Sequence, residues 1–311
     1  MKTFIFFPDT GKSNGLGHFH RCLKFKNALG RKYNIVFIIN KFFDNKYLKG
    51  KKLKFIKYDN LNNLKSIIQK FKNPYLLLDS YSLKIHKFFS QIINIKKRIL
   101  ILDFKMKNNG DVIIDHTFMR EKNFHRINKN QKIFLGHTFL PVNNKLNKKK
   151  TNTILIDLGS IKNNFLILKC VKKINELLNL KNYKIIIINK YFKKRNLSNI
   201  QSNKDIEVFK YIKDIEKIYQ NTFFSIGACG ISLYEKCYFQ IPTFSKSFAR
   251  NQTYNFKNFQ SKKCISSINK FLSLKTYADL KNELKYIKIN IKKYFYLRVD
   301  KKNIINIFEK L

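Results

Sequence analysis

Short runs of β-branched and aromatic residues alternate with segments of helical periodicity through the first half of the chain. The runs predict six strands, at residues 3–7, 34–39, 54–58, 75–79, 98–103 and 111–115. Helices are predicted between most of them, at residues 18–29, 61–71 and 83–95, and in the first helix Cys22, Phe25 and Leu29 share one face. This alternation predicts a doubly wound α/β domain with a parallel sheet.

The alternation stops between residues 139 and 153, where the chain has Pro141, four asparagines and three consecutive lysines. It then begins again, with strands predicted at residues 153–158, 183–189, 207–211, 222–226 and 241–245. Helices are predicted at residues 165–178, 277–294 and 302–311, with shorter ones from Asp214 and near Ser232. A chain of 311 residues is also longer than one hydrophobic core usually serves. We therefore expect two domains, residues 1–145 and 146–311.

The apolar runs are short, because Lys or Asn interrupts each one before it reaches the roughly 20 residues of a membrane helix. The chain starts with Met1, Lys2 and an apolar run that ends at Pro8, which is too short for a signal peptide. We therefore expect a cytoplasmic protein. The five cysteines are odd in number and form no CxxC pair, which predicts reduced thiols and no metal site. We also expect no cofactor.

The formal charge of +45 raises the question of a nucleic-acid partner. Of the 64 basic residues only eight are arginines, and the lysines are scattered through every segment together with asparagine and isoleucine. Nucleic-acid sites favour arginine, whose planar group pairs and stacks. The charge therefore indicates a compositional bias. We expect no nucleic-acid partner, at most weak peripheral contact of the basic surface with a membrane, and a monomer.

The first candidate site follows the strand at residues 3–7 and precedes the first amphipathic helix. Its glycines, Gly15 and Gly17, would let backbone N–H groups approach an anion at a strand end. The spacing is neither GxGxxG nor a Walker loop, which disfavours dinucleotides and ATP. His18, which follows Gly17, is either a general base that acts on water or a residue that only caps the helix.

The second candidate site is another strand, glycine-rich turn and helix start, at residues 226–235. Its turn and first helical residues can present N–H groups and a helix N-terminus to a diphosphate; they are Gly227, Cys229, Gly230, Ile231 and Ser232. Glu235 is either an acceptor for both hydroxyls of a ribose or a solvated helix residue. Tyr211 and Ile212, at a neighbouring strand end, are candidates to meet uracil through their main chain.

A third junction between strand and helix carries Asn251 and Gln252, after Pro242 restarts a strand. Their amides can hydrogen-bond sugar hydroxyls or position a water.

These residues together resemble the UDP-sugar hydrolases of pseudaminic acid biosynthesis, which are similar in fold to the MurG-type glycosyltransferases. The resemblance rests on Gly-x-Gly-His-x-x-Arg-Cys-Leu at residues 15–23, Leu-Asp-Ser-Tyr at 78–81, the turn through Glu235, Pro242 and the Asn251-Gln252 pair, and it spans roughly residues 1–260. It implies a GT-B fold, in which two doubly wound Rossmann-type lobes have the active site in the cleft between them. The activity it implies is the inverting hydrolysis of UDP-2,4-diacetamido-2,4,6-trideoxy-β-L-altropyranose.

The resemblance also assigns roles to residues. His18 would handle the attacking water and Glu235 would hold the ribose. The sugar side would be formed by Gly15, Gly17, Arg21, Asp79, Tyr81, Asn251 and Gln252. With the residues already inferred from the second turn and the neighbouring strand end, the UDP side would be formed by Tyr211, Ile212, Gly227, Cys229, Gly230, Ile231, Ser232 and Glu235.

The sequence departs from the family pattern at three places. A pair of adjacent aspartates is replaced by Asp103-Phe104, the turn Gly-Gly-Ser-Asp is reduced to a segment ending in Ser160-Ile161, and an arginine expected near Asn143 is missing. These changes leave open a relative that acts on another UDP-sugar, or a degraded homologue. Two other functions also stay open beside the hydrolase. One is a MurG-like glycosyltransferase with a UDP-sugar donor, and the other is a noncatalytic basic protein that binds nucleic acid.

Overall fold

The computed structural model describes residues 1–11, 16–142, 152–159, 161–178, 183–197, 205–295 and 301–311, and for Asn251 it describes the backbone only. The chain forms two compact units. The first comprises Met1–Pro141 with Val299–Leu311, and the second comprises Val142–Arg298. The predicted boundary at residue 145 and the departure at Asn143 lie outside the described residues.

The first unit is built on a parallel sheet of seven strands in the order β3-β2-β1-β4-β5-β6-β7. The strands are β1 (Thr3–Pro8), β2 (Asn34–Asn40), β3 (Lys54–Tyr58), β4 (Tyr75–Asp79), β5 (Lys97–Ile101), β6 (Val112–Asp115) and β7 (Lys132–Leu135). Three helices connect them: α1 (Gly17–Leu29), α2 (Leu61–Gln69) and α3 (Leu83–Ser90). Short 3-10 helices occur at Asn45–Tyr47 and His137–Phe139.

The central strands of this sheet are covered on both faces. Phe4, Ile5, Phe6 and Phe7 are all fully buried, as expected for a parallel strand that reads as a continuous apolar run. On one face Ile5 and Phe7 pack in a core with residues of α2 and α3. Both of these helices begin with a side-chain N-cap. In α2 the Asn60 side chain accepts a hydrogen bond from the Asn63 backbone amide, and in α3 the Ser82 hydroxyl accepts one from the Ile85 backbone amide.

The second unit has a parallel sheet of six strands in the order β10-β9-β8-β11-β12-β13. The strands are β8 (Thr153–Gly159), β9 (Lys184–Asn189), β10 (Ile206–Phe209), β11 (Thr222–Ala228), β12 (Thr243–Lys246) and β13 (Ser266–Ser267). Its helices are α4 (Asn164–Leu177), α5 (Ile215–Asn221), α6 (Ile231–Tyr238), α7 (Thr253–Ser261), α8 (Ile268–Ser273) and α9 (Tyr277–Tyr294). Short 3-10 helices occur at Lys194–Leu197 and Arg250–Gln252.

The last helix, α10 (Lys301–Glu309), belongs to the first unit, although the sequence assigned residues 146–311 to the second domain. Its buried Phe308 packs against Phe4 of β1 and Phe25 of α1, with ring centroids 5.3 Å and 6.2 Å away. The apolar face of α10 thus covers the sheet face on which α1 lies. This long-range contact corrects the assignment of the C-terminal helix.

Each sheet has a topological switch point, where the chain changes the direction in which it adds strands. In the first unit the switch lies between β1 and β4, and Pro8 pairs there with Asp79. In the second unit it lies between β8 and β11, where Asp157 pairs with Gly227. Ligands of open α/β sheets bind at the carboxyl ends of strands at such points. Among the described residues no helix is both long and apolar enough to cross a membrane.

Replacing Phe308 by alanine is expected to destabilise the first unit by about 3–5 kcal/mol, because a fully buried aromatic ring leaves a cavity. Hydrogen exchange followed by mass spectrometry should show lost protection in β1 and α1. The control is Asn306→Ala, a substitution at an exposed position of the same helix. It should change the free energy of unfolding by no more than about 0.5 kcal/mol. Loss of protection confined to the second unit would contradict the assignment of α10.

Candidate functional site

The first cluster of functional side chains lies at the switch point of the first unit. β4 ends at Asp79, and α1 begins at Gly17, so that His18 lies in the first turn of the helix. His18 Nδ1 is 2.5 Å from Asp79 Oδ1, and both side chains are buried. An ionised carboxylate can only accept, so His18 Nδ1 is the donor in this bond and Nε2 is the ring nitrogen that remains for another partner.

Arg21, one helical turn after His18, also faces Asp79. Its Nε donates to Asp79 Oδ2 at 2.6 Å, and its Nη2 donates to Oδ1, which makes the pair bidentate. Burial alone would raise the pKa of Asp79, but Arg21 and His18 outweigh it and hold that pKa well below its usual range. Asp79 is therefore ionised, and both its oxygens are bonded to Arg21 or His18.

Tyr81 and Asp103 adjoin this cluster. The Tyr81 hydroxyl donates to Asp103 Oδ2 at 2.8 Å, and the Tyr81 ring meets the His18 ring edge to face with centroids 4.6 Å apart. Asp103 Oδ2 is also 3.5 Å from Arg21 Nη1. Phe104, at one of the departures from the family pattern, packs against Tyr81. Tyr81 is partly exposed, whereas His18, Arg21 and Asp79 are buried, so Tyr81 presents the accessible surface of this group.

His116, the residue that follows β6, also belongs to the cluster, since its Nε2 is 3.4 Å from Arg21 Nη1. Burial, together with the positive charge of Arg21, lowers the pKa of His116 to about 4. The residue before it, Asp115, is buried and accepts from Arg120 Nε at 2.7 Å and His125 Nε2 at 2.8 Å. These bonds fix the segment that carries His116.

His116 and Asp103 are not among the site residues expected from the sequence. A signal was present, because Asp79, Asp103 and Asp115 each stand at the end of a predicted strand, next to an apolar run. Three acidic residues at consecutive strand ends of a parallel sheet predict a common edge.

The glycines of the first motif are placed in part. Gly17 is the first residue of α1, and a Cβ built there would have no atom within 4 Å. Gly15 lies outside the described residues.

The second cluster lies at the switch point of the second unit. β11 ends at Ala228, and Gly230 is the N-cap of α6. A Cβ on Gly227 would lie 2.7 Å from the carbonyl oxygen of Asp157 and 2.7 Å from Lys236 Nζ, so only glycine fits without displacing β8 or Lys236. Lys236 is fully buried, and its Nζ donates to Asp157 Oδ2 at 3.2 Å.

Cys229 has a structural position within this turn. Its thiol is 2.9 Å from Ser245 Oγ, and Ser245 in turn donates to the Gly227 carbonyl at 2.8 Å. Burial raises the pKa of Cys229 to about 12, so the thiol is not a nucleophile at neutral pH. Ile231 and Ser232, in the first turn of α6, are half-buried.

Glu235 is half-buried, and its Oε2 accepts from the Tyr219 hydroxyl at 3.0 Å. Tyr211 and Ile212 lie in the segment between β10 and α5, because the strand predicted to reach residue 211 ends at Phe209. Ile212 packs against the core cluster that contains Tyr219.

Gln252 lies beside the glycine-rich turn, since its Nε2 is 3.9 Å from the place of a Cβ on Gly230. Its Oε1 accepts from the Phe248 amide at 3.1 Å. Asn251 is in the same 3-10 helix, and its side chain is not among the described atoms. In the part of the chain that the structure describes, no group of three His, Cys, Asp or Glu side chains could hold a metal ion.

Burial lowers the pKa of His116 to about 4. Between pH 6.5 and pH 4 its imidazole is therefore protonated in the unfolded chain but neutral in the folded protein. Stability should therefore fall as the pH drops from 6.5 to 4, by about 3 kcal/mol from this residue. In His116→Gln that part of the loss should disappear, while His86, whose pKa is also lowered by burial, keeps its own contribution. Urea unfolding of the wild type and of His116→Gln at pH 8 and pH 4 gives the free energy of unfolding of each. The same loss of stability in the two proteins would contradict the prediction.

No family model matches the chain. Among curated proteins it is similar to the pseudaminic acid cytidylyltransferase and UDP-2,4-diacetamido-2,4,6-trideoxy-beta-L-altropyranose hydrolase of Helicobacter pylori (strain ATCC 700392 / 26695), with 27% identity over 285 residues. The match covers 87% of this chain and 48% of the relative, so the chain spans about half the length of that protein. The resemblance inferred from the motifs is thus confirmed.

Solved structures match the chain along almost its whole length. MurG of Acinetobacter baumannii has a TM-score of 0.65 at 13% identity and covers 100% of this chain and 99% of its own. The Streptomyces sp. SF2575 glycosyltransferase SsfS6, complexed with thymidine diphosphate, has a TM-score of 0.68 at 8% identity with 100% of both chains covered. Staphylococcus aureus MnaA with UDP has a TM-score of 0.65 at 12% identity, and the match covers 99% of this chain and 96% of MnaA. The chain therefore has the GT-B fold, as the sequence predicted, and resembles the pseudaminic acid enzyme in sequence.

Proposed function

We propose that this chain hydrolyses a UDP-linked amino or deoxy sugar to UDP and the free sugar, and that His18 receives a proton from the attacking water. The observation that carries the proposal is the buried His18–Asp79–Arg21 cluster at the switch point of the first sheet. A histidine whose Nδ1 is held by an ionised carboxylate has Nε2 ready as a base.

The similarity to the Helicobacter pylori protein supports the choice of reaction. That protein's name gives two activities, and this chain spans about half its length. The GT-B fold along the whole of this chain, which is shared with proteins solved with UDP or thymidine diphosphate, favours the hydrolase activity for this half.

In the proposed reaction, water attacks the anomeric carbon as its proton moves to His18 Nε2, and the bond from that carbon to the diphosphate oxygen breaks. Asp79 stabilises the imidazolium that forms, and Arg21 keeps Asp79 ionised and fixed. The leaving diphosphate gains negative charge, which the amides at residues 227–230 and the N-terminus of α6 would stabilise. Attack from the face opposite the diphosphate inverts the anomeric centre. The scheme uses no metal and no cofactor.

Asp79 and Arg21 act in this scheme as positioning residues, because both are buried and bonded to each other. Within the first unit, contact with the sugar then falls to the partly exposed Tyr81 and to Gly17. In the second unit Glu235 would accept the ribose hydroxyls. Cys229, Ile231 and Ser232 would frame the diphosphate site through their main chain, and Tyr211 and Ile212 would meet uracil.

A glycosyltransferase with a UDP-sugar donor is the second candidate. It is favoured by the fold, which is shared with the glycosyltransferase SsfS6 and with MurG. The two candidates differ only in the acceptor. Hydrolysis in ¹⁸O-labelled water places one ¹⁸O in the released sugar and none in UDP, and it needs no added acceptor.

The reaction test uses the purified chain with a panel of UDP-sugars, including diacetamido-trideoxy sugars. UDP and free sugar should form in the presence of EDTA, and UDP, unlike ATP, should raise the melting temperature. His18→Ala should lower kcat by about 100-fold or more, the scale of general-base loss, with UDP affinity nearly intact. The isosteric Asp79→Asn should lower kcat by about 100-fold or more as well, since the amide no longer stabilises the imidazolium.

His86→Gln is the matched control, because this buried histidine bonds to the Ser80 carbonyl and is assigned no part in the proposed reaction. It should keep kcat within about threefold. Near-normal hydrolysis by a folded His18→Ala protein would contradict the role of His18. Activity that is lost in EDTA and restored by a divalent metal would contradict the metal-free mechanism.

A further inference from the structure

A buried phenol is bonded to the carboxylate to which we assign the ribose. Tyr219 lies in the last part of α5, and its hydroxyl donates to Glu235 Oε2 at 3.0 Å. Tyr219 is 2% exposed, whereas Glu235 on α6 is half-buried. One side chain therefore belongs to the core, and the other reaches from the core toward the surface.

The core fixes the Tyr219 ring. It packs in a cluster with Leu155, Ile186 and Phe239, and its centroid is 5.4 Å from that of Phe239. Burial, followed by the negative charge of Glu235, raises the pKa of Tyr219 well above its usual value. The hydroxyl therefore stays protonated and remains a donor throughout the pH range in which the protein would work.

The rotation of α6 is fixed independently by the next residue. Lys236 is fully buried, and its Nζ donates to Asp157 Oδ2 on β8 at 3.2 Å. Consecutive residues of a helix point about 100° apart, so a Lys236 held toward β8 sets the direction in which Glu235 leaves the helix. The hydrogen bond from Tyr219 then fixes the position of the Glu235 carboxylate.

We propose that Tyr219 is a positioning residue that gives the nucleotide site its selectivity for ribose over deoxyribose. The inference rests on the proposed binding of the ribose by Glu235. A carboxylate held by the phenol presents its remaining lone pairs in one fixed direction, where two neighbouring hydroxyls can both donate to it. A 2′-deoxyribose offers only one of the two. Without the phenol, the glutamate loses one of the contacts that fix its side chain, so it gives up more side-chain entropy when the ribose binds.

Calorimetric titration of the full chain with UDP and with 2′-deoxy-UDP tests this selectivity. The wild type should bind UDP about tenfold more tightly than 2′-deoxy-UDP, the scale of one hydrogen bond to a charged group. Tyr219→Phe should weaken UDP binding by about fivefold and reduce the ratio between the two ligands to about two, because it acts on the shared carboxylate.

The matched control is Tyr234→Phe. Tyr234 is also fully buried and lies next to Glu235 in the chain, but its hydroxyl donates to Asn255 Oδ1 at 2.8 Å. Both variants lose one buried hydrogen bond, so both should melt a few degrees lower. Only Tyr219→Phe should change the ratio of the two affinities, since a loss of stability by itself would affect both ligands alike.

The outcomes separate this inference from the proposed function. A wild type that binds no UDP would overturn both. A wild type that shows the expected ratio, together with a Tyr219→Phe variant that keeps it, would overturn the role of Tyr219 alone. Loss of the ratio in Tyr234→Phe as well would also overturn it, because the effect would then come from general loosening of the unit.

Discussion

The buried carboxylate of Asp79 is the charge around which the first unit is arranged. An ionised carboxyl away from water is costly unless donors surround it, and removal of one partner of such a pair typically costs about 3–5 kcal/mol. Asp79 has its donors from a single helix, because His18 and Arg21 are three residues apart and therefore share a face of α1. The start of α1, the end of β4 and the pairing of β1 with β4 must all be correct for these bonds to form.

The neighbouring strands repeat this arrangement of charges. Asp103 follows β5 and Asp115 ends β6, so three adjacent strands bring carboxylates to one edge of the sheet. Arg21 contacts Asp79 and Asp103, while Arg120 bonds to Asp115 and to the Asp103 carbonyl. The chain has 64 basic and only 19 acidic residues, and eight of the basic residues are arginines. Three acidic residues and two of the arginines meet at this edge of the sheet, which therefore differs from the lysine-rich surface.

In the second unit, two side-chain contacts from helix α6 hold the candidate nucleotide site. Lys236 pairs with Asp157 across the β8–β11 junction, and Glu235 bonds to Tyr219. The absence of a side chain at Gly227 makes room for the first contact, since a Cβ there would collide with Lys236 Nζ. Local backbone requirements and long-range charge pairing thus fix the same turn.

Hydrophobic periodicity was sufficient to predict the two α/β domains and most of their strands, because buried parallel strands are continuous apolar runs whatever their neighbours are. It missed β7 (Lys132–Leu135), a four-residue edge strand that is only half covered, and β13 (Ser266–Ser267), which has no apolar residue. It also placed the end of β10 at Tyr211, two residues too late. Lys210 and Tyr211 continue the polar and apolar alternation of the strand, but they do not pair with β9.

The sequence by itself determined which residues stand at strand ends and helix starts, and hence His18, the 227–230 turn and Glu235 as candidates, while the family resemblance added Asp79. Only the tertiary structure decided what each side chain bonds to. Asp79, expected at the sugar, is enclosed by His18 and Arg21, and Glu235 is held by Tyr219, which no motif includes. Helix α10 joins the first unit because its apolar face meets β1 and α1, almost 300 residues earlier in the chain. Strand and helix positions follow from local patterns, whereas such pairings depend on how distant segments pack.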